Sequence, residues 1–348
     1  MIIGSSVLIT KAMIMAAGVG SRLGPLTQDI PKPLVPVLNR PVMDILLQKL
    51  KDYGIKKVIA NTHYLAEKIQ QRYSQNSPID IDFSYIFEET LSGTAGGVKK
   101  CEFFFDDVED FIVVSADGLH DADFEKIIRS HKESGCIATM AIAAVEHEEV
   151  SKYGVVVSSD KHNVLEFQEK PSLSEAKSNF INTGIYVFNK RIFDYIPKGE
   201  KYDFAKNVFP ALLQAGEKIN TYRIYCYWSD IGTIDQYVQS NTDALNRKVM
   251  IQNPNIMRKF ESVYSVGHNC SVDKSVKLIN NVVIGNNCTI GKNVVLDNVI
   301  LWDNTVVEDN VELKNVVSAN NNIIKSSVKN ENKWEIIAPN KVVDMSLI

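Results

Sequence analysis

Two cations stand close behind a glycine run. The segment Gly18-Val19-Gly20-Ser21-Arg22-Leu23-Gly24 holds three glycines in seven residues, and Lys32 follows between Pro31 and Pro33. Bare backbone at the glycines lets N–H groups turn toward an anion. The Arg22 guanidinium adds a fixed fork suited to phosphate. The flanking prolines predict that Lys32 is held extended, outside any helix. Together they describe a triphosphate cradle. Two better-known loops do not fit. Three residues, not two, separate Gly20 from Gly24, and no Gly-Lys-Ser/Thr tripeptide is present. A second glycine run, Leu91-Ser92-Gly93-Thr94-Ala95-Gly96-Gly97, opens a predicted helix. Asp117 follows the apolar run Phe111 to Ala116, and Asp230 stands before Ile231-Gly232. Glu169 and Lys170 pair an acceptor-only group with a point cation. Taken singly, each has a plainer reading: Asp117 as a helix cap, Asp230 as a turn residue, Lys170 as an exposed loop lysine.

The elements that must carry these residues alternate. Ala12 to Ala17 is an apolar run that predicts a buried parallel strand. Strands are predicted at 57–61, 79–87, 111–116 and 137–145, and helices at 41–53, 65–73 and 124–134. Such alternation predicts a mainly parallel sheet with helices on both faces. Ligands of such sheets sit at the carboxyl ends of strands, where Gly18, Gly93 and Asp117 fall. Further strands are predicted at 153–157, 165–170, 182–188 and 222–228, with helices at 204–214 and 234–245, closing this domain near Arg247.

A repeat follows. Val266, Val272, Leu278, Ile284, Ile290 and Leu296 stand six apart, and Cys270, Val276, Val282, Cys288, Val294 and Ile300 form a second row. The six-residue period predicts a left-handed parallel β-helix of stacked short strands. The phase slips by one after Leu296 and resumes at Leu301, Val307 and Leu313. Three six-residue steps separate Cys270 from Cys288, so both thiols are expected at one corner of adjacent coils, pointing inward and poorly reactive. The polar run 320–331 is expected to end the prism. The chain therefore divides into an extension (1–10), a catalytic domain (11–247), a connector (248–262), the β-helix (263–330) and a tail or cap (331–348). Open prism ends and faces favour a homo-oligomer through the β-helix, to be lost on removing 263–348.

Composition narrows the function classes. The 348 residues are 45% hydrophobic with a net charge of −4 and no basic patch, which argues against a nucleic-acid surface. Five scattered cysteines without a CxxC pair argue for reduced thiols in a cytoplasmic protein. No apolar run has the roughly 20 residues of a membrane span, and Met1 to Thr10 lacks the basic start and cleavage site of a signal peptide.

The string Gly-Val-Gly-Ser-Arg-Leu-Gly-Pro-Leu-Thr, then Pro-Lys-Pro-Leu, resembles the signature of the sugar-nucleotide pyrophosphorylases, with Ser21 for threonine and Gly24 where the family has a second arginine. Leu91 to Gly97 resembles their base loop. Ala116-Asp117-Gly118-Leu119, Phe167-Gln168-Glu169-Lys170-Pro171, Asn182-Thr183-Gly184-Ile185-Tyr186 and Trp228-Ser229-Asp230-Ile231-Gly232-Thr233 resemble further family motifs in order. The resemblance spans Lys11 to Leu245. It implies a Rossmann-like α/β domain of glycosyltransferase-A type and nucleotidyl transfer from a nucleoside triphosphate to a sugar 1-phosphate. It places the nucleotide at Ala16, Ala17, Gly18, Gly20, Ser21, Arg22, Lys32, Gly93 and Thr94. The sugar phosphate falls at Gly154, Glu169, Lys170, Asn182 and Thr183, Mg²⁺ at Asp117 and Asp230, and catalysis on Arg22, Lys32, Asp117 and Asp230. Since family members usually begin near Lys11, the first ten residues read as an extension. The pattern is most similar to mannose-1-phosphate guanylyltransferases, which implies GTP and mannose 1-phosphate. The alternatives are a glucose-1-phosphate enzyme using UTP, dTTP or ATP, an acyltransferase with His268 as base, and a non-catalytic sugar-nucleotide-binding subunit.

Overall fold

A computed structural model describes residues 9–74, 77–251 and 255–339. The first eight residues of the expected extension and residues 340–348 of the expected tail lie outside the described residues. By their contacts the residues form two compact units. One runs to Val19 and resumes from Leu46 to Trp228; the other takes Gly20–Ile45 and the chain from Ser229 onward. The partition falls inside helix α1 (Val42–Asp52).

The first unit is built on a nine-stranded sheet. Its strands are β1 (Lys11–Met15), β2 (Lys57–Thr62), β3 (Asp82–Phe87), β4 (Asp110–Ser115), β5 (Ala138–Ala144), β6 (Gly154–Ser158), β7 (Val164–Glu169), β8 (Phe180–Asn189) and β9 (Ile219–Arg223). The order β7-β6-β8-β4-β1-β2-β3 is parallel from β4 to β3, while β8 runs antiparallel to β4, β5 and β6. β1 is buried at Ala12, Met13 and Ile14 because both faces are covered, as its unbroken apolar run requires. Helices α2 (Ala66–Ser74), α3 (Gly93–Lys100), α4 (Phe124–Ser134) and α5 (Phe209–Gln214) belong to this unit. α4 is stopped at both ends by local chemistry: Asp123 accepts from the Lys126 amide at 3.2 Å, and Gly135 takes φ 59°. Under the sheet, Phe111 stacks on Phe105 at 4.0 Å and on Phe193 at 5.3 Å between centroids.

Two predicted elements differ. The strand expected over 222–228 is β9 followed by a break, with the short strand Trp228–Asp230 beyond it. β9 leaves the sheet where its pairing with β5 ends at Ile142, and Tyr225 is 89% exposed. The helix expected over 204–214 begins as a π-turn, Phe204–Val208, because Pro210 cannot donate to the ladder.

Burial holds His120 neutral. It is 5% exposed, its Nδ1 accepts from the Ala122 amide at 3.2 Å, and burial, with Lys49 nearby, pushes its pKa down to about 3. An unfolded histidine titrates near 6.5. Below that pH the unfolded chain binds a proton that the folded chain refuses, so stability falls as pH drops toward 3. Between pH 6.5 and about 4.5, above the carboxylate range, His120→Gln is expected to flatten the pH dependence of Tm. An unchanged slope in thermal melts would contradict this.

The second unit contains the repeat. Strands 262–266, 277–284, 295–301 and 312–318 stack in parallel, as do 271–272, 289–290, 306–307 and 323–324. The slip falls after Leu296 as expected: Leu278 pairs with Leu296, 18 residues on, but Val282 pairs with Val299, 17 on, so that Asn280 and Asn281 face Asn298 alone. Val299 and Leu301, not Ile300, therefore join the interior cluster. Val272, in the end coil, is exposed. The stack does not stop in the polar run. Val328–Lys329 pairs with Leu313–Lys314, and Glu335–Ile337 pairs with Val316–Ser318. The signal was hidden because Asn322 takes an interior place, 1% exposed, donating to the Ser318 hydroxyl at 3.0 Å and the Ala319 carbonyl at 3.1 Å. Asparagines at φ near +55 to +65° turn the corners, including Asn287, Asn304 and Asn321, which hydrogen-bond in a ladder.

The coils share their unit with helix α6 (Ile234–Leu245) and the 36–39 turn. The Trp302 indole donates to the Tyr237 hydroxyl at 2.7 Å, which donates to the Pro36 carbonyl at 2.9 Å. Asn39 donates to the Ile284 carbonyl at 2.7 Å. Removing 263–348 would strip this face, so truncation does not report on assembly alone.

Cys270 and Cys288 occupy matching places, since Ser271 pairs with Thr289. Cys288 is buried and burial pushes its pKa up to about 12; Cys270, in the end coil, is only partly covered. Native thiol labelling is expected to run Cys226 first, Cys270 later, and Cys288 and Cys101 only on unfolding. Fast native labelling of Cys288 would disprove the stacking.

Candidate active site

β1 ends at Met15, and the next amide, Ala16, donates to the Asn61 side-chain oxygen at 3.0 Å. Ala16 and Ala17 are buried and Gly18 is exposed. Asn61 donates in turn to Glu88 at 2.7 Å. The Glu88 carboxylate is 1% exposed and also accepts from the Ser92 amide at 3.2 Å, the Ser92 hydroxyl, and Lys100 at 3.0 Å. Burial pushes its pKa up, but these donors outweigh it and leave it below the usual range. Neither Asn61 nor Glu88 was singled out from sequence.

The second glycine run is already helix at Gly93. A Cβ there would lie 2.5 Å from the Tyr202 carbonyl oxygen, and φ is +77°, so only glycine fits. The Thr94 amide and hydroxyl reach Asp203 at 3.1 and 3.3 Å, and the hydroxyl accepts from the Phe204 amide at 3.0 Å. These glycines thus let neighbouring chain approach closely, a use the sequence did not reveal.

The residues expected at the sugar gather around β6, β7 and β8. Gly154 pairs with Glu169, and a Cβ on Gly154 would meet the Phe167 ring at 2.5 Å and the Glu169 carboxylate at 3.3 Å. Lys170 follows β7 with φ 48°, its amide donating to the Tyr153 carbonyl at 3.1 Å. Asn182 donates to the Tyr186 hydroxyl at 2.6 Å. Burial holds that phenol above its ordinary pKa, with Glu169 adding to the rise. Thr183 sits at a bulge of β8, its hydroxyl donating to Ala141 and its carbonyl accepting from the Trp228 indole at 3.1 Å. Asp117 follows the carboxyl end of β4 and is half-buried. Tyr186 and Trp228, which the sequence showed only as members of motif strings, hold Asn182 and Thr183 here.

In the second unit the glycine loop turns as a 3₁₀ segment, Ser21–Thr27. The Gly20 carbonyl accepts from the Leu23 amide at 3.0 Å and the Thr27 hydroxyl at 3.1 Å. Ser21 and Arg22 are exposed. Lys32 opens one 3₁₀ turn, Lys32–Leu34, rather than lying extended, because a proline needs no donor in a first turn. Its side chain covers Gly20, where a Cβ would meet Lys32 Cβ at 2.9 Å. Arg22 and Asp230 converge on Gly232: a Cβ there would lie 3.2 Å from Arg22 Nη2 and 3.0 Å from Asp230 Oδ2. Gln236, in the first turn of α6, donates to Asp230 Oδ1 at 2.8 Å. Gln236 was not legible because its only sequence role is in a helix start.

Among the described residues no three histidine, cysteine, aspartate or glutamate side chains converge as a metal cluster, and no helix is long and apolar enough to cross a membrane.

These motifs in this fold define a nucleotide-transferring enzyme class. The chain belongs to the nucleotidyl transferase family, whose pattern matches residues 11–247. It is 36% identical over 317 residues to the UTP–glucose-1-phosphate uridylyltransferase of Synechocystis sp., covering 82% of this chain and 81% of that one. It is 29% identical over 287 residues to the mannose-1-phosphate guanylyltransferase of Mycobacterium tuberculosis, covering 82% and 78%. The fold matches a UDP-glucose pyrophosphorylase structure from Acinetobacter baumannii with a TM-score of 0.62 and 22% identity, over 69% of this chain and 94% of that one.

Proposed function

We propose that this protein is a sugar-1-phosphate nucleotidyltransferase. A phosphate oxygen of the sugar 1-phosphate forms a bond to the α-phosphorus of a nucleoside triphosphate, the bond to the β-phosphate oxygen breaks, and pyrophosphate leaves. The observation that carries this reading is the family match over residues 11–247 in a chain that keeps Arg22, Lys32, Asp117, Glu169, Lys170 and Asp230 in motif order. The nucleophile is ionised near neutral pH, so no general base is needed. Preorganised charge does the work. Arg22 and Lys32 hold the triphosphate and the departing pyrophosphate, with backbone at Ala16, Ala17, Gly18, Gly20, Ser21, Gly93 and Thr94. Lys170 holds the sugar phosphate in line, while Glu169, Asn182, Thr183 and Gly154 take the sugar. Asp117 and Asp230 offer only oxygen donors, which fits Mg²⁺, an ion that takes one or two carboxylates and completes its shell with phosphate oxygens and water. When bound, it neutralises charge on the phosphates.

For the substrates, the 36% identity to a uridylyltransferase favours UTP and glucose 1-phosphate. The strings Gly-Thr-Ala-Gly-Gly-Val-Lys and Ser-Lys-Tyr-Gly-Val-Val favour GTP and mannose 1-phosphate. Pyrophosphate release with Mg²⁺, measured for four nucleoside triphosphates against both hexose 1-phosphates, tests the reading. One pair is expected to exceed the others at least about tenfold; no release with any pair would reject the activity. A homo-oligomer through the coils belongs to the same reading. Phe260, 96% exposed beside the edge strand Ile256–Lys259, is the residue to probe. Phe260→Asp is expected to shift the sedimentation coefficient toward the monomer, and an unchanged value would move the interface elsewhere.

A further inference from the structure

We infer that Asn61 and Glu88 form a buried interlock that fixes the Ala16 amide against the 91–97 segment, and thereby sets affinity for the nucleoside triphosphate. Both are positioning residues. The inference rests on the proposed reaction only for its second half.

A carboxylate at 1% exposure has lost its water and must find every hydrogen bond within the protein. Glu88 does so. Asn61 donates to one oxygen at 2.7 Å, and Ser92, through amide and hydroxyl, and Lys100 donate to the other. Each donor belongs to a different piece of chain: Asn61 to β2, Ser92 to the start of α3, Lys100 to its end. Asn61 then uses its remaining acceptor on Ala16, the first amide past β1, at 3.0 Å. The bridge therefore runs from the end of β1 through two side chains to Ser92. α3 closes on the bridge without a side chain between them, since a Cβ on Gly97 would lie 2.5 Å from Asn61 Nδ2 and 3.1 Å from Glu88 Oε1. An apolar pair of the same volume would pack as stably; what a fully satisfied polar pair adds is a single geometry. That geometry joins the two segments, 16–18 and 93–94, to which the nucleotide is assigned.

The polarity of the bridge makes it testable by exchange. In Glu88→Gln an amide faces donors from Ser92 and Lys100 or from Asn61. In Asn61→Asp two carboxylates face each other. In the double variant, the carboxylate introduced at position 61 accepts from the Ala16 amide and from the side-chain amide introduced at position 88. That amide's oxygen still accepts from Ser92, and net charge is conserved. Each single variant is expected to raise KM for the triphosphate about ten- to a hundredfold, with KM for the sugar 1-phosphate within about twofold, and the double to recover most of the loss. Ser92→Ala, which removes one donor and leaves the charge paired, should give a smaller shift in the same direction. Hydrogen exchange at the Ala16 amide provides a readout without turnover: faster in both single variants, restored in the double. Equal effects on both substrates, or a folded double variant no better than the worse single one, would overturn the inference. Unchanged Ala16 exchange in Glu88→Gln would overturn it too. Absence of turnover in the wild type would reject the proposed reaction, while the exchange data would still decide the interlock.

Discussion

Asparagine in place of Asp230 is expected to lower kcat by about 10²–10³-fold with the fold intact. The replacement is isosteric, and Asp230 is partly exposed near the start of α6, so little packing changes. The Gln236 amide donates to Oδ1 at 2.8 Å and can still meet the retained amide oxygen. What disappears is the negative charge at Oδ2, beside Gly232 and facing the same point as the Arg22 guanidinium. That charge is the one proposed to hold Mg²⁺ on the triphosphate. Asp117→Asn is expected to behave alike, since both carboxylates serve one ion in this reading. The measurement is kcat at saturating Mg²⁺, with circular dichroism and Tm as the fold control. A near-wild-type rate for either variant would remove that residue from the metal assignment.

The second large effect is a division of labour. Lys170→Ala is expected to raise KM for the sugar 1-phosphate about 30- to 100-fold and to leave KM for the triphosphate within about threefold. Arg22→Ala is expected to do the reverse. A charge-assisted hydrogen bond to phosphate contributes about 2–3 kcal/mol, which sets the size. Lys170 is exposed, so its loss removes a charge without opening a cavity. Its backbone, at φ 48° and anchored by its amide to Tyr153, keeps the alanine in place. Arg22 is likewise exposed, on a turn whose Gly20 carbonyl is held by Leu23 and Thr27. Steady-state kinetics with each substrate varied at saturation of the other would decide it. Parallel losses on both substrates would show that the two cations share one role.

The residues proposed to carry the chemistry also carry recognisable strings, so Arg22, Lys32, Asp117, Lys170 and Asp230 could be named by type and order. Periodicity of two, three to four, and six marked nearly all the elements, because each period reports which face is buried. Local sequence even placed α4 and α6 at their observed bounds, where the side chains of Asp123 and Thr233 cap the first turns.

What the sequence could not contain is partnership. Asn61 lies in an apolar strand and Glu88 beside a second glutamate; nothing local distinguishes them, and only β2 lying beside β1 brings Asn61 to Ala16. Gln236 acquires its purpose because α6 begins four residues after Asp230 in a geometry that turns its side chain back. The coil register, by contrast, was legible: the phase slip after Leu296 is the step from an 18-residue to a 17-residue coil, and what the count did not contain is that asparagines at positive φ, such as Asn298, turn the corners. Sequence by itself determined the family, the elements and the charged groups, since these follow from residue type and short spacing. The tertiary structure alone decided which of the remaining polar side chains are buried against those groups, since burial and hydrogen bonding depend on chain segments far apart in sequence.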